Sequence, residues 1–241
     1  MVFNMKKLER INGEMVEQQS FIKLEKSPLK VYSKQLYPEE GLEVLYSEEK
    51  YGGYALINPN GFPWINLKLD PQGSTMRKGQ HHTILDAGYG LFISILEHLF
   101  DKYEEKITSM VRNEGIIIWD GIPCWSLQIN NPYFKYEDYT VLPDETLVTI
   151  AAKLKLSEYM ILEHNKNILN YKDISPGQVI KIPNDYSSKI ILLIDKIRMI
   201  PLVMKIYDDL GLYEQYEYTN VQLNPSLASN EFAEANKAYN F

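Results

Sequence analysis

Cysteine is nearly absent: Cys124 is the only one in 241 residues. A lone thiol forms no intramolecular disulfide and excludes a cysteine-rich zinc site. It lies in the strand-like run Ile-Pro-Cys-Trp-Ser-Leu-Gln-Ile, where a packed core thiol is the expectation. Histidine is scarce too, with only His81, His82, His98 and His164. A nucleophilic cysteine needs a histidine brought close in space, and His98 and His164 fall in helical patterns, which leaves a cysteine peptidase with little support. Positive charge is outnumbered, 25 Lys and Arg against 32 Asp and Glu, with no basic stripe along the chain, so nucleic acid is not an expected partner. No apolar run approaches the ~20 residues that cross a bilayer. The opening MVFNMKKLERINGE lacks the apolar h-region of a secretory signal, so if the protein is exported its signal is expected to lie outside this sequence. Hydrophobic residues make up 45% of the chain, enough to bury a substantial core as one large or two small domains.

The most informative stretch is Tyr139 to Pro183, YTVLPDETLVTIAAKLKLSEYMILEHNKNILNYKDISPGQVIKIP. Leu147, Ile150, Ala151 and Leu154 fall at i, i+3, i+4 and i+7, one apolar stripe of a helix. Asp144 precedes that run and is expected to cap it. Ser157 is a natural N-cap for a second helix, with Leu156 placed to staple onto Ile161. Asn165 suits the end of that helix, and Pro176-Gly177 supplies a turn into a closing strand of Val179, Ile180 and Ile182. The predicted order is strand, helix, helix, strand. A module this small has a marginal core and draws support from its neighbours.

These residues resemble the LysM carbohydrate-binding module, whose pattern runs Y-x-V-x-x-G-D-T-L-x-x-I-A, then L-x-x-x-N, then I-x-x-G-Q-x-I-x-I-P. The resemblance implies binding of N-acetylglucosamine-containing glycan, peptidoglycan or chitin. The family's sugar lies in a groove between two loops. Carried onto this sequence, those loops are Asp144, Glu145, Thr146 and Leu147, and Ile174, Ser175, Pro176 and Gly177. The chain departs from the pattern where Asp144 replaces glycine and Glu145 replaces aspartate. A side chain at the glycine position is expected to narrow the groove or alter the turn.

Outside this stretch the chain reads mainly as antiparallel β. Asn12-Gly13 favours a tight hairpin between two strands over Phe3 to Lys26. Strands are predicted at Leu29 to Tyr37 and Leu42 to Ser47 around a Pro38 turn, then at Tyr54 to Ile57 and Trp64 to Leu69. From about Thr83 to Lys106 the period changes, with Leu91, Ile95, Leu99 and Tyr103 at four-residue steps of an amphipathic helix. Strands resume at Ile116 to Trp119 and Trp125 to Ile129. After the module come Lys189 to Ile194, Met199 to Tyr207 and Leu212 to Leu223, the last two joined by Asp208-Asp209-Leu210-Gly211. This three-strand ribbon is expected to complete the earlier sheet, which makes the module an insertion within one sheet.

The flanks carry a resemblance of their own. Ser27-Pro28-Leu29-Lys30-Val31-Tyr32, Asn58-Pro59-Asn60-Gly61-Phe62-Pro63, Leu69-Asp70-Pro71 with Gly73-Ser74, and Gly79-Gln80-His81-His82-Thr83-Ile84 resemble a family of exported bacterial proteins carrying a domain of unknown function. That family is similar to the outer-membrane lipoprotein carriers of the LolA and LolB type. The implied fold is α+β: a curved antiparallel half-barrel with packed helices over 1–138 and 187–241, carrying a βααβ LysM-like module over 139–186. The implied setting is the periplasm or another exported location.

Three other constellations carry the residue types of a site. His81 and His82 with Asp70 and Asp86 have the residue types of a zinc site, but neighbours on a strand point to opposite faces, so no metal is expected. Glu39, Glu40, Glu48, Glu49, Glu104 and Glu105 include paired carboxylates of the kind a glycosidase uses, yet they sit at turns and a helix end beside lysines and read as solvated surface. Trp64, Trp119, Trp125 and the 18 tyrosines follow strand propensity more than a sugar cleft. The expectation is therefore a non-catalytic cell-envelope binding protein without cofactor. Its module contacts peptidoglycan or another N-acetylglucosamine glycan, and its half-barrel takes a lipid or lipoprotein. One alternative is a periplasmic lipid or lipoprotein carrier with a purely structural module; another is a cell-wall hydrolase.

Overall fold

The structure is a computed structural model and describes residues 1–241. Its strands are β1 (Val2–Ile11), β2 (Glu14–Lys26), β3 (Leu29–Tyr37), β4 (Glu43–Ser47), β5 (Ala55–Asn58), β6 (Leu67–Leu69), β7 (Val111–Trp119) and β8 (Ile122–Asn130). Then come β9 (Tyr136–Thr140), β10 (Val179–Pro183), β11 (Lys189–Asp195), β12 (Pro201–Tyr207) and β13 (Leu212–Gln222). The helices are α1 (Ser74–Arg77), α2 (Gly90–Tyr103), α3 (Ile107–Met110), α4 (Leu147–Leu154) and α5 (Glu158–His164). Eleven strands form one open antiparallel sheet in the order β6-β5-β4-β3-β2-β1-β13-β12-β11-β8-β7, and β9 pairs with β10 in a separate ladder. The α+β class and an antiparallel sheet that does not close into a barrel are as the sequence suggests. The ribbon β11-β12-β13 does complete the sheet begun before the module.

The chain divides into two compact units, one of residues 1–89, 201–203 and 214–241, the other of 90–200 and 204–213. In the first, Asn12 at φ 52° and Gly13 at φ 85° make the hairpin turn that joins β1 to β2. Period-2 alternation buries Phe3, Ile22, Leu24, Val31, Leu45 and Ala55. Residues 223–241 wind across the β3–β5 region without regular elements and insert Phe232 and Tyr239 into a cluster with Tyr32, Leu45 and Leu56. The Tyr239 ring stacks on Tyr32 at 3.7 Å between centroids. Burying two such rings is worth ~1.5–3 kcal/mol each. Polar ties hold the segment as well: Lys23 pairs with Glu231, and Asn240 donates through its backbone N–H (2.8 Å) and Nδ2 (3.0 Å) to the buried Glu43 carboxylate.

Two expectations on this side shift. The predicted strand from Trp64 shrinks to Leu67–Leu69, because Trp64 sits at φ 62° in a turn whose N–H donates to the Gly61 carbonyl. The helix predicted from Thr83 begins only at Gly90. Thr83 and Asp86 close a capping box on a short 3-10 turn instead, and Gly88 at φ 87° lies so close to Leu24 that a Cβ there would stand 2.6 Å from its side chain.

The second unit holds α2, β7, β8, β11 and the module. Phe92, Ile95 and Leu99 form the buried stripe of α2. The module has its own core of Val141, Leu147, Ile150, Ile161, Ile180 and Ile182, among others. Where the chain enters and leaves the module, buried Asp185 accepts from Lys102 Nζ (2.7 Å), Tyr103 Oη (2.6 Å) and Asn131 Nδ2 (2.9 Å). Burial, then the bond to Asp185, pushes the Tyr103 phenol up to about 12. Beside it the Asn131 N–H donates to the Ser188 carbonyl, the Asn184 N–H to the Lys135 carbonyl and Asn184 Nδ2 to the Tyr133 carbonyl. Ser157 Oγ and Tyr213 Oη add a buried bond of 2.7 Å between the second module helix and β13.

Candidate functional site

Both loops that the sequence assigns to sugar binding lie at one end of the β9–β10 ladder. Thr140 faces Val179 in register, and beyond them the Val141 N–H donates to the Gln178 carbonyl while the Gly177 N–H donates to the Val141 carbonyl. The first loop is organised by Glu145. Its carboxylate accepts from Tyr139 Oη (2.8 Å), the Leu142 N–H (2.9 Å) and Lys153 Nζ (3.2 Å). Burial pushes this carboxyl up, but the Leu142 N–H, Tyr139 and Lys153 outweigh it and hold it below the usual carboxylate range.

Asp144, at the family's glycine position, adopts φ 64°. Aspartate is among the few residues that enter this region routinely, so Asp144 sits in the left-handed region that glycine favours and hangs an exposed carboxylate on the turn. The cap expected of Asp144 falls to Thr146, whose side chain accepts from the Thr149 N–H at 3.2 Å while Thr149 Oγ1 accepts from the Thr146 N–H. The physical reason is spacing: Asp144 is two residues before the true N-cap, too early for its oxygen to meet the first free N–H groups. Ser157 caps α5 as expected, accepting from the Met160 N–H.

Leu147 is fully buried, so its side chain belongs to the module core, and its N–H donates to the Tyr171 carbonyl. In the second loop Ile174 packs against the core, while Ser175, Pro176 and Gly177 are exposed, with Gly177 at φ 83°. Asn165 locks the far side: its Nδ2 donates to the Ile161 and Lys181 carbonyls and its Oδ1 accepts from the Lys181 N–H. Exposed Leu142 and Val179 flank the two loops. Turn backbone, one exposed carboxylate and two apolar edges therefore lie together at this end of the ladder.

The histidine pair has a different setting from the one the sequence suggests. His81 and His82 lie in a bend between α1 and the 3-10 turn at Ile84–Asp86, so the strand alternation that set them apart does not apply. Both reach Glu214 on β13: His81 Nδ1 at 2.8 Å and His82 Nε2 at 3.2 Å from Oε2. Glu214 stands opposite Glu9 in the β1–β13 register. Glu9 accepts from Lys7 Nζ (3.0 Å), the His81 N–H (3.2 Å) and Tyr216 Oη (2.7 Å). Burial raises both carboxyls, yet neighbouring positive charge prevails: Lys7 foremost lowers Glu9, and His82 foremost lowers Glu214. Burial pushes His82 down, and Glu214 overrides it, raising the imidazole to about 9. Asp86, the carboxylate that follows the pair in sequence, spends its oxygens on the Thr83 N–H and hydroxyl. Asp70 caps its own loop at the Gln72 N–H.

Cys124 is buried, and burial pushes its thiol up, away from nucleophilic use. The paired glutamates at 39–40, 48–49 and 104–105 are all exposed. No helix is long and apolar enough to cross a membrane.

The module is a LysM domain, with residues 139–183 matching that family model. The surrounding chain belongs to the family described as "Protein of unknown function (DUF1571)", which matches residues 2–149 and 172–241. No curated protein matches the chain. Among solved structures, the complex of Pseudomonas aeruginosa MucA and MucB aligns at 13% identity and TM-score 0.40, over 96% of this chain and 54% of that one, so the chain spans about half its length. The Mycobacterium tuberculosis lipoprotein LppX aligns at 12% identity and TM-score 0.39, covering 93% of this chain and 89% of that one. A LolA superfamily protein from Nitrosomonas europaea aligns at 10% identity and TM-score 0.33, covering 97% and 89%. Likeness at this level says nothing about what this chain binds.

Proposed function

We propose that the protein is a non-catalytic, exported cell-envelope binding protein whose LysM domain contacts N-acetylglucosamine-containing glycan, peptidoglycan foremost, through the cleft between Asp144–Leu147 and Ile174–Gly177. One observation carries this reading: Asp144 at φ 64° retains the glycine-type turn, so the substitution leaves the first loop in place beside Gly177. The exposed carboxylate is well suited to accept from sugar hydroxyls, and Leu142 and Val179 to meet acetamido methyls. Titration with N-acetylglucosamine oligomers, followed by NMR, is expected to shift the Thr146 and Gly177 amides. Unmoved amides at millimolar oligomer would end the glycan reading.

A second reading, a lipid or lipoprotein carrier in which the module is purely structural, has one observation in its favour. The apolar sheet face at Tyr32, Leu45 and Leu56 is covered by the irregular segment 223–241 and not by a helix or strand. Mass spectrometry of the purified protein tests it, with co-purified lipid expected under this reading and its absence counting against it.

A further inference from the structure

We propose that Glu9, His81 and Glu214 form a binding site for a divalent ion of the zinc type. The site is separate from the LysM cleft and does not rest on the glycan reading. One ligand atom from each of the first three residues lies within 4.8 Å of the others, and each residue is only 1% exposed. They come from three distant stretches of chain, β1, the bend before Thr83, and β13, which converge on one point. Mixed imidazole and carboxylate donors are the set that zinc takes in preference to magnesium or calcium, which favour all-oxygen sites.

Two features separate this group from an ordinary buried ion pair. The first is the orientation of His81. Its Nε2 lies 2.9 Å from the Arg10 backbone carbonyl, so that nitrogen carries the proton and Nδ1 is turned toward the carboxylates. A metal-ligating histidine is held in this way, with its second ring nitrogen donating to a carbonyl or carboxylate. The second is convergence: Nδ1 of His81 faces Oε2 of Glu214 at 2.8 Å, and Glu9 stands opposite Glu214 in the β1–β13 register, so a divalent ion at Nδ1 would meet both carboxylates at once. Tyr216 Oη, 2.7 Å from Glu9 and 3.2 Å from Glu214, and Lys7 then orient the carboxylates from outside.

The test uses the full chain, stripped with chelator and dialysed, with zinc alone as the probe. The expected results are one zinc per chain by elemental mass spectrometry and a melting temperature raised by roughly 5 °C or more at zinc a hundredfold above Kd. Both are expected to disappear in His81→Gln and Glu214→Gln and to persist in His98→Gln, which alters an exposed histidine on α2. Should a buried variant fail to fold, the ring nitrogens of His81 in the unaltered chain give the answer: zinc is expected to move the Nδ1 resonance and leave Nε2 proton-bearing. The proposal is overturned if stripped protein shows no zinc-dependent rise in melting temperature. It is equally overturned if stoichiometry and shift survive in both buried variants, or if the His81 resonances do not move, which would mean an adventitious ion only.

Discussion

The LysM cleft and the Glu9–His81–Glu214 cluster are built in opposite ways. The cleft is made of turns whose bonds close over a few residues, as when Glu145 ties Leu142 and Thr149 ties Thr146. Its chemistry is backbone and exposed edge, and its loops are carried on a core that needs only one small module. The cluster is made of bonds that span 72 and 133 positions, between side chains withdrawn from water. A shallow site of the first kind is tolerant, because changing one exposed group leaves the others solvated. A buried site of the second kind is not, because each charge exists only by virtue of its partners.

The sharpest way to break this contrast is to remove a member of the cluster. Glu214→Ala leaves two imidazoles without their acceptor and is expected to cost about 3–5 kcal/mol in urea unfolding. A loss below about 1 kcal/mol would show that the cluster is not the mutual compensation described here. Next in size is Leu147→Ala, which opens a void in the module core and is expected to cost about 2–4 kcal/mol. Hydrogen exchange should show that loss at the amides of α4 and β10 while β1 and β13 stay protected. Equal deprotection of all four would mean that the module has no stability of its own to lose.

Smaller effects refine the cleft. Asp144→Gly relieves the left-handed strain and is expected to be neutral or to raise stability by up to ~1 kcal/mol. It removes the exposed carboxylate as well, so oligomer affinity should fall if Asp144 accepts from sugar hydroxyls. Unchanged affinity would reduce Asp144 to a turn residue. The least effect is a titration. Glu145 has a folded pKa below its unfolded value of about 4.3, so its contribution is fully present above that pH and is lost as pH falls through the lower folded value. The Leu142 amide shift should report a midpoint beneath the ordinary glutamate value, and a midpoint at or above it would remove Glu145 as the organiser of the loop.

What was legible in the sequence follows the same division. The apolar stripe of α4, the Ser157 cap and the Pro176-Gly177 turn could be read because each depends on residues three or four apart. The cap at Thr146 is legible too, as the residue directly before Leu147 with Thr149 three further on, although Asp144 two residues earlier offers a competing cap. Glu145 as loop organiser was missed because its partners Tyr139 and Lys153 stand six and eight positions away on different elements. The strand alternation that would set His81 and His82 on opposite faces does not hold, because residues 81–82 form a bend that sequence alone does not reveal. Nothing local to Glu9 or Glu214 marks either as a partner. Only the β1–β13 register sets them opposite each other, and that register is decided by the whole sheet.

The neck of the module bears on mechanics. A binding domain on a single flexible linker swings freely, and tension on its ligand straightens the linker before it reaches the rest of the protein. Here two chain segments enter together, bonded to each other from Asn131 and Ser188 to Lys135 and Asn184, and Asp185 fastens both to Lys102 and Tyr103 at the end of α2. There is no slack to take up. A pull on any ligand held by the module would run straight down paired chain into β8 and β11, loading their hydrogen bonds together, so that the module would act as a stiff handle on its sheet.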